Sequence, residues 1–197
     1  GKATLARLGP DGAPIGQTQL LGTQKSYVIA VVAMPDGGAI ASGNSGLAGN
    51  DAAFATRLDG TGNVAWTWKG KTAYNHVAMS LVVTSAGIAL AGYAQTTADP
   101  ATRDGWLGGL DFDGHLIWER TIGGSNEDIF YGLAAFPGGG LFAAGTTKSK
   151  GAGGYDAWLV RTDAWGQLPC AVSGACAKAD FNACDDGDGC TVDLCLP

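Results

Sequence analysis

The sequence predicts an all-β fold of repeated four-stranded antiparallel units. Three observations predict it: glycine turns recur at a fixed period, short apolar runs lie between them, and the cysteines are confined to one end. Of the 197 residues, 46% are hydrophobic and 15% charged, which suffices for a packed core and is too apolar for a disordered segment. The 33 glycines stand singly or in pairs with no collagen-like period, as tight turns between short strands require.

The period is clearest in the turns Arg7-Leu8-Gly9-Pro10-Asp11-Gly12, Arg57-Leu58-Asp59-Gly60-Thr61-Gly62, Gly109-Leu110-Asp111-Phe112-Asp113-Gly114 and Arg161-Thr162-Asp163-Ala164-Trp165-Gly166, whose closing glycines are 50, 52 and 52 residues apart. A second register agrees, because the runs that end at Gly43, Gly92 and Gly145 align with one another. Aspartate, asparagine and glycine accept the positive φ angles that hairpin turns demand, so turn formation is sufficient reason for these motifs.

Each period holds four short runs of strand character, for example 27–34, 39–43, 52–58 and 63–68. Counting gives two strands in 3–21, four in 27–68, four in 76–121 and three or four in 129–169. Four strands in such a length make one β-propeller blade, and closed propellers hold ~4 to 8 blades. The expectation is about three and a half blades: a partial blade at 1–22, blades at 23–70, 71–124 and 125–169, and a cysteine-rich tail at 170–197. Such a chain is either a piece of a longer propeller, the favoured reading, or half of an assembly that closes between subunits. Trp66 and Trp118 both lie four residues after a turn glycine, where a large ring packs between sheets. Cys170 takes that place in the last copy.

The segments Gly123-Gly124-Ser125-Asn126-Glu127-Asp128 and Gly153-Gly154-Tyr155-Asp156-Ala157-Trp158-Leu159-Val160-Arg161-Thr162-Asp163 resemble the propeller-type repeats of large secreted bacterial proteins, often myxobacterial. The resemblance covers roughly residues 1 to 167 and implies a surface or secreted protein. The turn from Asp59 to Trp66 also resembles the blade motif of quinone-dependent dehydrogenase propellers, but the cofactor-binding residues of those enzymes are missing, so the likeness implies a shared way of packing blades.

All five cysteines, Cys170, Cys176, Cys184, Cys190 and Cys195, fall in the last 28 residues, and such density points to an oxidising compartment. Their spacing does not suit zinc, which favours closer ligand pairs, and the tail has no histidine. Asp186 and Asp188, with Asp180, Asn182 and Asp185 nearby, are candidate calcium ligands, yet they lack the EF-hand order and a solvated acidic turn is the preferred reading. The run from Cys184 to Cys195 is similar to the Cys-Thr-x-Asp-x-Cys repeats of secreted slime-mould and myxobacterial proteins, and the resemblance implies that these cysteines pair as disulfides. An odd count leaves one thiol free or paired elsewhere.

Function classes narrow by charge and by motif. A net charge of −6, a pI near 4.6 and no basic cluster argue against nucleic acid and anionic membrane as partners. No window approaches the roughly 20 apolar residues of a spanning helix, and Gly1-Lys2-Ala3-Thr4 has no signal-peptide character, so the chain is expected to begin inside mature, soluble sequence. His76 and His115 occupy different points of the repeat, and no nucleophile elbow, phosphate loop or zinc-helix motif is present. Asp51, Asp104, Glu127, Asp128 and Asp156 could supply the two carboxylates of a glycosidase, though spacing brings no two together. No catalytic residue and no cofactor beyond calcium is assigned.

The links between blade strands alternate between tight turns and longer, variable loops, which emerge on one end of an antiparallel blade and suit binding. Tyr74, His76, Asn126, Glu127, Asp128 and Tyr155 are the candidate ligand-binding residues, with Asn75 and Tyr131 beside them. The alternative for Asp128 is a turn cap, and for Tyr131 a place in the core. The chain is thus expected to be a non-catalytic extracellular adhesion scaffold for a protein or glycan surface ligand. The alternatives are a structural subunit of a homo-oligomer joined through blade edges and a propeller enzyme acting on polysaccharide.

Overall fold

The computed structural model describes residues 2–22, 25–46, 51–71, 74–137 and 139–168. The cysteine tail, with Cys170, Cys176, Cys184, Cys190 and Cys195 and the calcium candidates Asp186 and Asp188, lies outside the described residues. Among those described, thirteen antiparallel strands form four sheets. β1 (Thr4–Leu8) and β2 (Pro14–Gln19) make a hairpin. β3 (Ser26–Ala33), β4 (Ala39–Ser45), β5 (Ala52–Leu58) and β6 (Val64–Lys69) form a four-stranded sheet in chain order. β7 (His76–Thr84), β8 (Gly87–Gln95), β9 (Arg103–Leu110) and β10 (Leu116–Ile122) form the next, with a short 3₁₀ turn at Pro100–Thr102 before β9. β11 (Asp128–Phe136), β12 (Gly140–Thr147) and β13 (Asp156–Thr162) complete the series. The all-β, four-stranded antiparallel expectation holds, and among the described residues the sheets do not close into a ring. No helix among the described residues is long and apolar enough to cross a membrane.

The repeated turns share one local chemistry. Asp59 Oδ1 accepts the backbone N–H groups of Thr61 and Asn63, Asp111 Oδ1 those of Asp113 and His115, and Asp163 Oδ1 those of Trp165 and Gln167. The carboxylate thereby completes the turn that the glycine at its fourth position allows, with φ of 94° at Gly62, 86° at Gly114 and 70° at Gly166. In the first copy Gly9 replaces the aspartate, and Asp11 bonds the Ala13 N–H instead.

The second glycine register has a different cause. The first strand of each complete sheet and of the last one carries a register shift near its start, between Val28 and Ala30, Ala78 and Ser80, and Phe130 and Gly132. This bulge pushes a carbonyl of the first strand toward the second. A Cβ on Gly43, Gly92 or Gly145 would lie 1.9, 1.9 or 1.8 Å from the carbonyl oxygen of Tyr27, Val77 or Ile129. Across the sheet from those glycines stand Phe54, Trp106 and Trp158, each buried. Glycine therefore admits both the bulge and a large ring on the next strand.

Those rings fill the spaces between sheets. Phe54 packs with Ala41 and Leu58 of its own sheet and with Ala3, Leu20 and Leu21 of the first hairpin. Trp106 packs with Leu81 and Leu90 of its own sheet and with Ile40, Ala53 and Ala55 of the sheet before. Trp158 and Phe130, stacked at 4.6 Å between centroids, meet Ala91 and Leu107. Trp66 and Trp118 act at the sheet ends. Trp66 donates its indole N–H to the Phe112 carbonyl at 2.9 Å, and its ring lies over Gly114 in the turn of the next sheet. Trp118 lies over Gly166 in the same way.

The two ends of the series are uncovered. Val31 shares a face with Ala41, its pairing partner, yet is 54% exposed because the β1–β2 hairpin has only two strands to lay against β3–β6. Leu159 alternates with the buried Trp158 and Val160 and faces away from the sheet before.

Replacing Gly92 by alanine forces the methyl group into the Val77 carbonyl and is expected to lower unfolding free energy by ~3 kcal/mol, at the upper end for overpacking. Gly16→Ala, whose added methyl meets nothing within 4 Å, is the control and should change stability by less than ~0.5 kcal/mol. Denaturant unfolding of both variants checks the pair.

Candidate functional site

Hairpin turns crowd one end of the stacked sheets, and the longer links gather at the other. At that loop end a line of polar side chains crosses successive sheets. Asn75 Oδ1 accepts the Asp51 N–H at 3.3 Å, and Asn75 Nδ2 donates to Gln95 Oε1 at 3.1 Å. Gln95 pairs through the backbone with Arg103, and Arg103 Nη1 donates to Glu127 Oε2 at 3.1 Å. The Arg103 guanidinium also covers the Tyr93 ring at 4.9 Å, and burial pushes the Tyr93 phenol up against the opposing pull of that charge. Glu127 accepts the Tyr155 hydroxyl at 2.5 Å, and the Lys148 ammonium sits 4.1 Å from the centre of the Tyr155 ring.

The ionic groups of this line are mostly covered, whereas its tyrosines are open. The Glu127 side chain is 12% exposed, but Tyr27 on β3 and Tyr131 and Tyr155 of the last sheet are each about half exposed. Arg103 and Glu127 thus fix a frame beside Tyr155, and about half of each tyrosine's surface stays open to solvent.

The predicted residues divide into three groups. Glu127 and Tyr155 touch one another on the rim. Asn126 and Asp128 hold the loop beneath it: Asn126 donates its N–H to Ser149 Oγ and its amide to the Lys148 carbonyl. Asp128 is fully buried and accepts from the Gly124 N–H at 2.9 Å, the Ser149 N–H at 3.4 Å and Ser149 Oγ at 2.6 Å. It caps the loop. Tyr131 is at the bulge of β11 and half exposed, outside the core where the alternative placed it. Tyr74 and His76 stand apart from both groups and line a pocket of about 240 Å³ with Lys71, Trp106, Glu119 and Arg120.

Two carboxylates that spacing could not unite do meet. A Cβ at Gly123 would lie 2.2 Å from Asp104 Oδ1 and 2.8 Å from Asp128 Oδ2, so the groups face one another across a space that only glycine leaves open. Burial, and then the Asp128 charge, hold the Asp104 carboxyl above its ordinary range. His76 is buried against Trp106, ring centroids 4.3 Å apart and nearly perpendicular, and Trp106 stacks on Trp68 at 6.0 Å. Burial lowers the His76 pKa to about 4 and keeps it neutral near pH 7.

One group among the described residues has the spacing of a metal site: Asp111, Asp113 and His115. It is the repeated turn described above. Asp111 already accepts two backbone N–H groups, and the His115 ring lies 2.9 Å from its second oxygen.

Sequence reasoning missed Tyr93, Arg103, Lys148 and Trp106. A signal existed for Trp106, since Phe54, Trp106 and Trp158 recur every 52 residues. None existed for the Arg103–Glu127 pair, whose members belong to different sheets and have no counterparts of like charge in the other copies.

Two pH effects follow. A histidine titrating near 6.5 when unfolded and about 4 when folded contributes stability above pH 6.5 that is lost as pH falls to 4, roughly 3 kcal/mol in all. Denaturant unfolding across that range should show this slope, and His76→Phe should flatten it. The raised Asp104 carboxyl works in the opposite sense, because protonation favours the folded state. Asp104→Asn should therefore raise the melting temperature at pH 7, with the gain vanishing toward pH 4. No family model and no curated protein matches the chain.

Proposed function

We propose that this chain is part of a β-propeller-type extracellular scaffold that binds a protein or glycan ligand on the loop end of its sheets and has no catalytic role. The observation that carries this reading is the set of half-exposed tyrosines at that end, Tyr27, Tyr131 and Tyr155, the last bonded to the Arg103–Glu127 pair. Tyrosine offers a large, rigid contact surface with a polar tip, as recognition surfaces need. The propeller reading is supported by packing order: the first strand β7 lies against β3, and β11 against β7, which is how first strands adjoin around a central channel. The density of cysteines beyond residue 169 supports placement outside the cell.

The polysaccharide-enzyme alternative needs two carboxyl groups that reach one bond. Asp128 is fully buried and held by three donors, so the Asp104–Asp128 pair is better suited to clamping its loop. A homo-oligomer is favoured by one observation, the uncovered faces at Val31 and Leu159. If those faces join copies, light scattering should give a dimer or larger mass that Val31→Glu dissociates.

The binding reading is tested with the triple variant Tyr27→Ala, Tyr131→Ala, Tyr155→Ala against immobilised bacterial polysaccharides and surface proteins. Since all three rings are half exposed, the melting temperature should change little while retention on the cognate surface falls at least ~10-fold, the loss of one tenfold affinity step. Undiminished retention by the folded variant would overturn the reading.

A further inference from the structure

The junction between the first hairpin and the sheet of β3 to β6 lacks a part that the later junctions have. Trp66 and Trp118 stand four residues after the turn glycines Gly62 and Gly114, and each lays its ring over the turn glycine of the next sheet. Four residues after Gly12 the chain has Gly16, where an added Cβ would meet nothing within 4 Å. The vacated space is a pocket of about 390 Å³ between Gly16 on β2 and Gly62 in the turn before β6. The corresponding place between the last two sheets keeps only about 70 Å³, with Trp118 in its wall. The two places match by position in the repeat: Ile15, Gly37 and Ala39 line the first where Ile117, Gly139 and Leu141 line the second. Among the described residues β1 pairs only with β2, so no inner strand closes the first place.

Arg7 stands in for part of the missing indole. At the next junction Trp66 Nε1 donates to the carbonyl of Phe112, two residues before the turn glycine. The carbonyl two residues before Gly62 is that of Gly60, and Arg7 Nη1 donates to it at 2.9 Å. Arg7 also covers the turn glycine, since a Cβ on Gly62 would lie 3.2 Å from Arg7 Nη1 and 3.6 Å from its Cδ. A guanidinium supplies that hydrogen bond yet fills little of an indole's space, and its planar face attracts the electron-rich face of an aromatic ring. Leu5, Ile15 and Leu58 add apolar wall, and Asp59 offsets the charge of Arg7. The volume falls within the ~300 to 1,000 Å³ of small-molecule sites. The complement of these groups is a neutral, flat aromatic ring of the kind that two other junctions already hold.

We propose that this pocket binds one small molecule of the indole class, its ring stacked on the Arg7 guanidinium in the space that Gly16 leaves open. The site is at the hairpin-turn end, opposite the tyrosines, and stands independently of the binding reading above. Recognition rests on the shape of the vacated place and on the cation against the ring.

The test is a titration of the ¹⁵N-labelled full chain with indole, followed by two-dimensional NMR at the backbone amides of Gly16 and Gly62. Saturable shifts with a Kd below about 1 mM are expected, and cyclohexanol, which has no aromatic face, should bind at least ~10-fold more weakly. Gly16→Trp restores the side chain of the other junctions, so it should raise the melting temperature and abolish the response to indole. Arg7→Leu keeps an apolar wall without the cation and should weaken indole ~10-fold. Trp165, 50% exposed, is the one exposed tryptophan of the six, so Trp165→Ala separates a free ligand from a ring inserted by a second copy. Unchanged affinity in that variant supports the small-molecule site, whereas a ~10-fold gain shows that a second copy fills the pocket and overturns it. Unmoved Gly16 and Gly62 signals at about 5 mM indole, an equal response to cyclohexanol, or undiminished indole binding by folded Gly16→Trp also overturns the proposal.

Discussion

Every complete sheet in this chain is apolar on both faces, and that constraint orders the rest of the structure. In the sheet of β3 to β6, Phe54, Ala41 and Leu58 point one way while Ile40, Ala53 and Ala55 point the other. Covering one face leaves the other in water, so each sheet must lie between two neighbours, and at ~25 cal/mol per Å² of apolar surface removed from water the whole series gains from every added layer. Stacking thus propagates along the chain, and the local turns need only bring each strand back in register. The same logic predicts trouble at the ends, where Val31 and Leu159 have no covering sheet.

Much of this arrangement was readable before any coordinates because it is local. A glycine that must adopt positive φ five residues after an arginine or similar strand end, with an aspartate bonding the backbone two and four residues on, leaves a mark in the sequence. The glycines at 43, 92 and 145 were visible as a register, but their cause was not, since the carbonyl they avoid belongs to a bulge in a neighbouring strand. Trp66 and Trp118 were legible as packing residues because each repeats at a fixed distance from a turn.

The loop end was legible only as a location. Which links are long follows from strand counting, so residues such as Glu127 and Tyr155 could be placed at one end together. That Glu127 is tied to Arg103 could not be foreseen, because the two belong to different sheets and their separation of 24 residues has no structural meaning by itself. The meeting of Asp104 and Asp128 across Gly123 was hidden for the same reason. Contacts made within a repeat are written in its period, whereas contacts between repeats depend on how far each sheet turns relative to the last.

The bulges in β3, β7 and β11 have a further consequence. At each one the extra residue, Ile29, Met79 or Tyr131, is left without a cross-strand partner, so its identity is uncoupled from the ladder that fixes its neighbours. A substitution there leaves pairing, turn and inter-sheet core untouched. The three side chains already differ in chemistry, branched aliphatic, thioether and phenol. One site per repeat is therefore free to diverge under selection while the frame stays constant, and a tandem array of this kind can acquire new surface character one copy at a time.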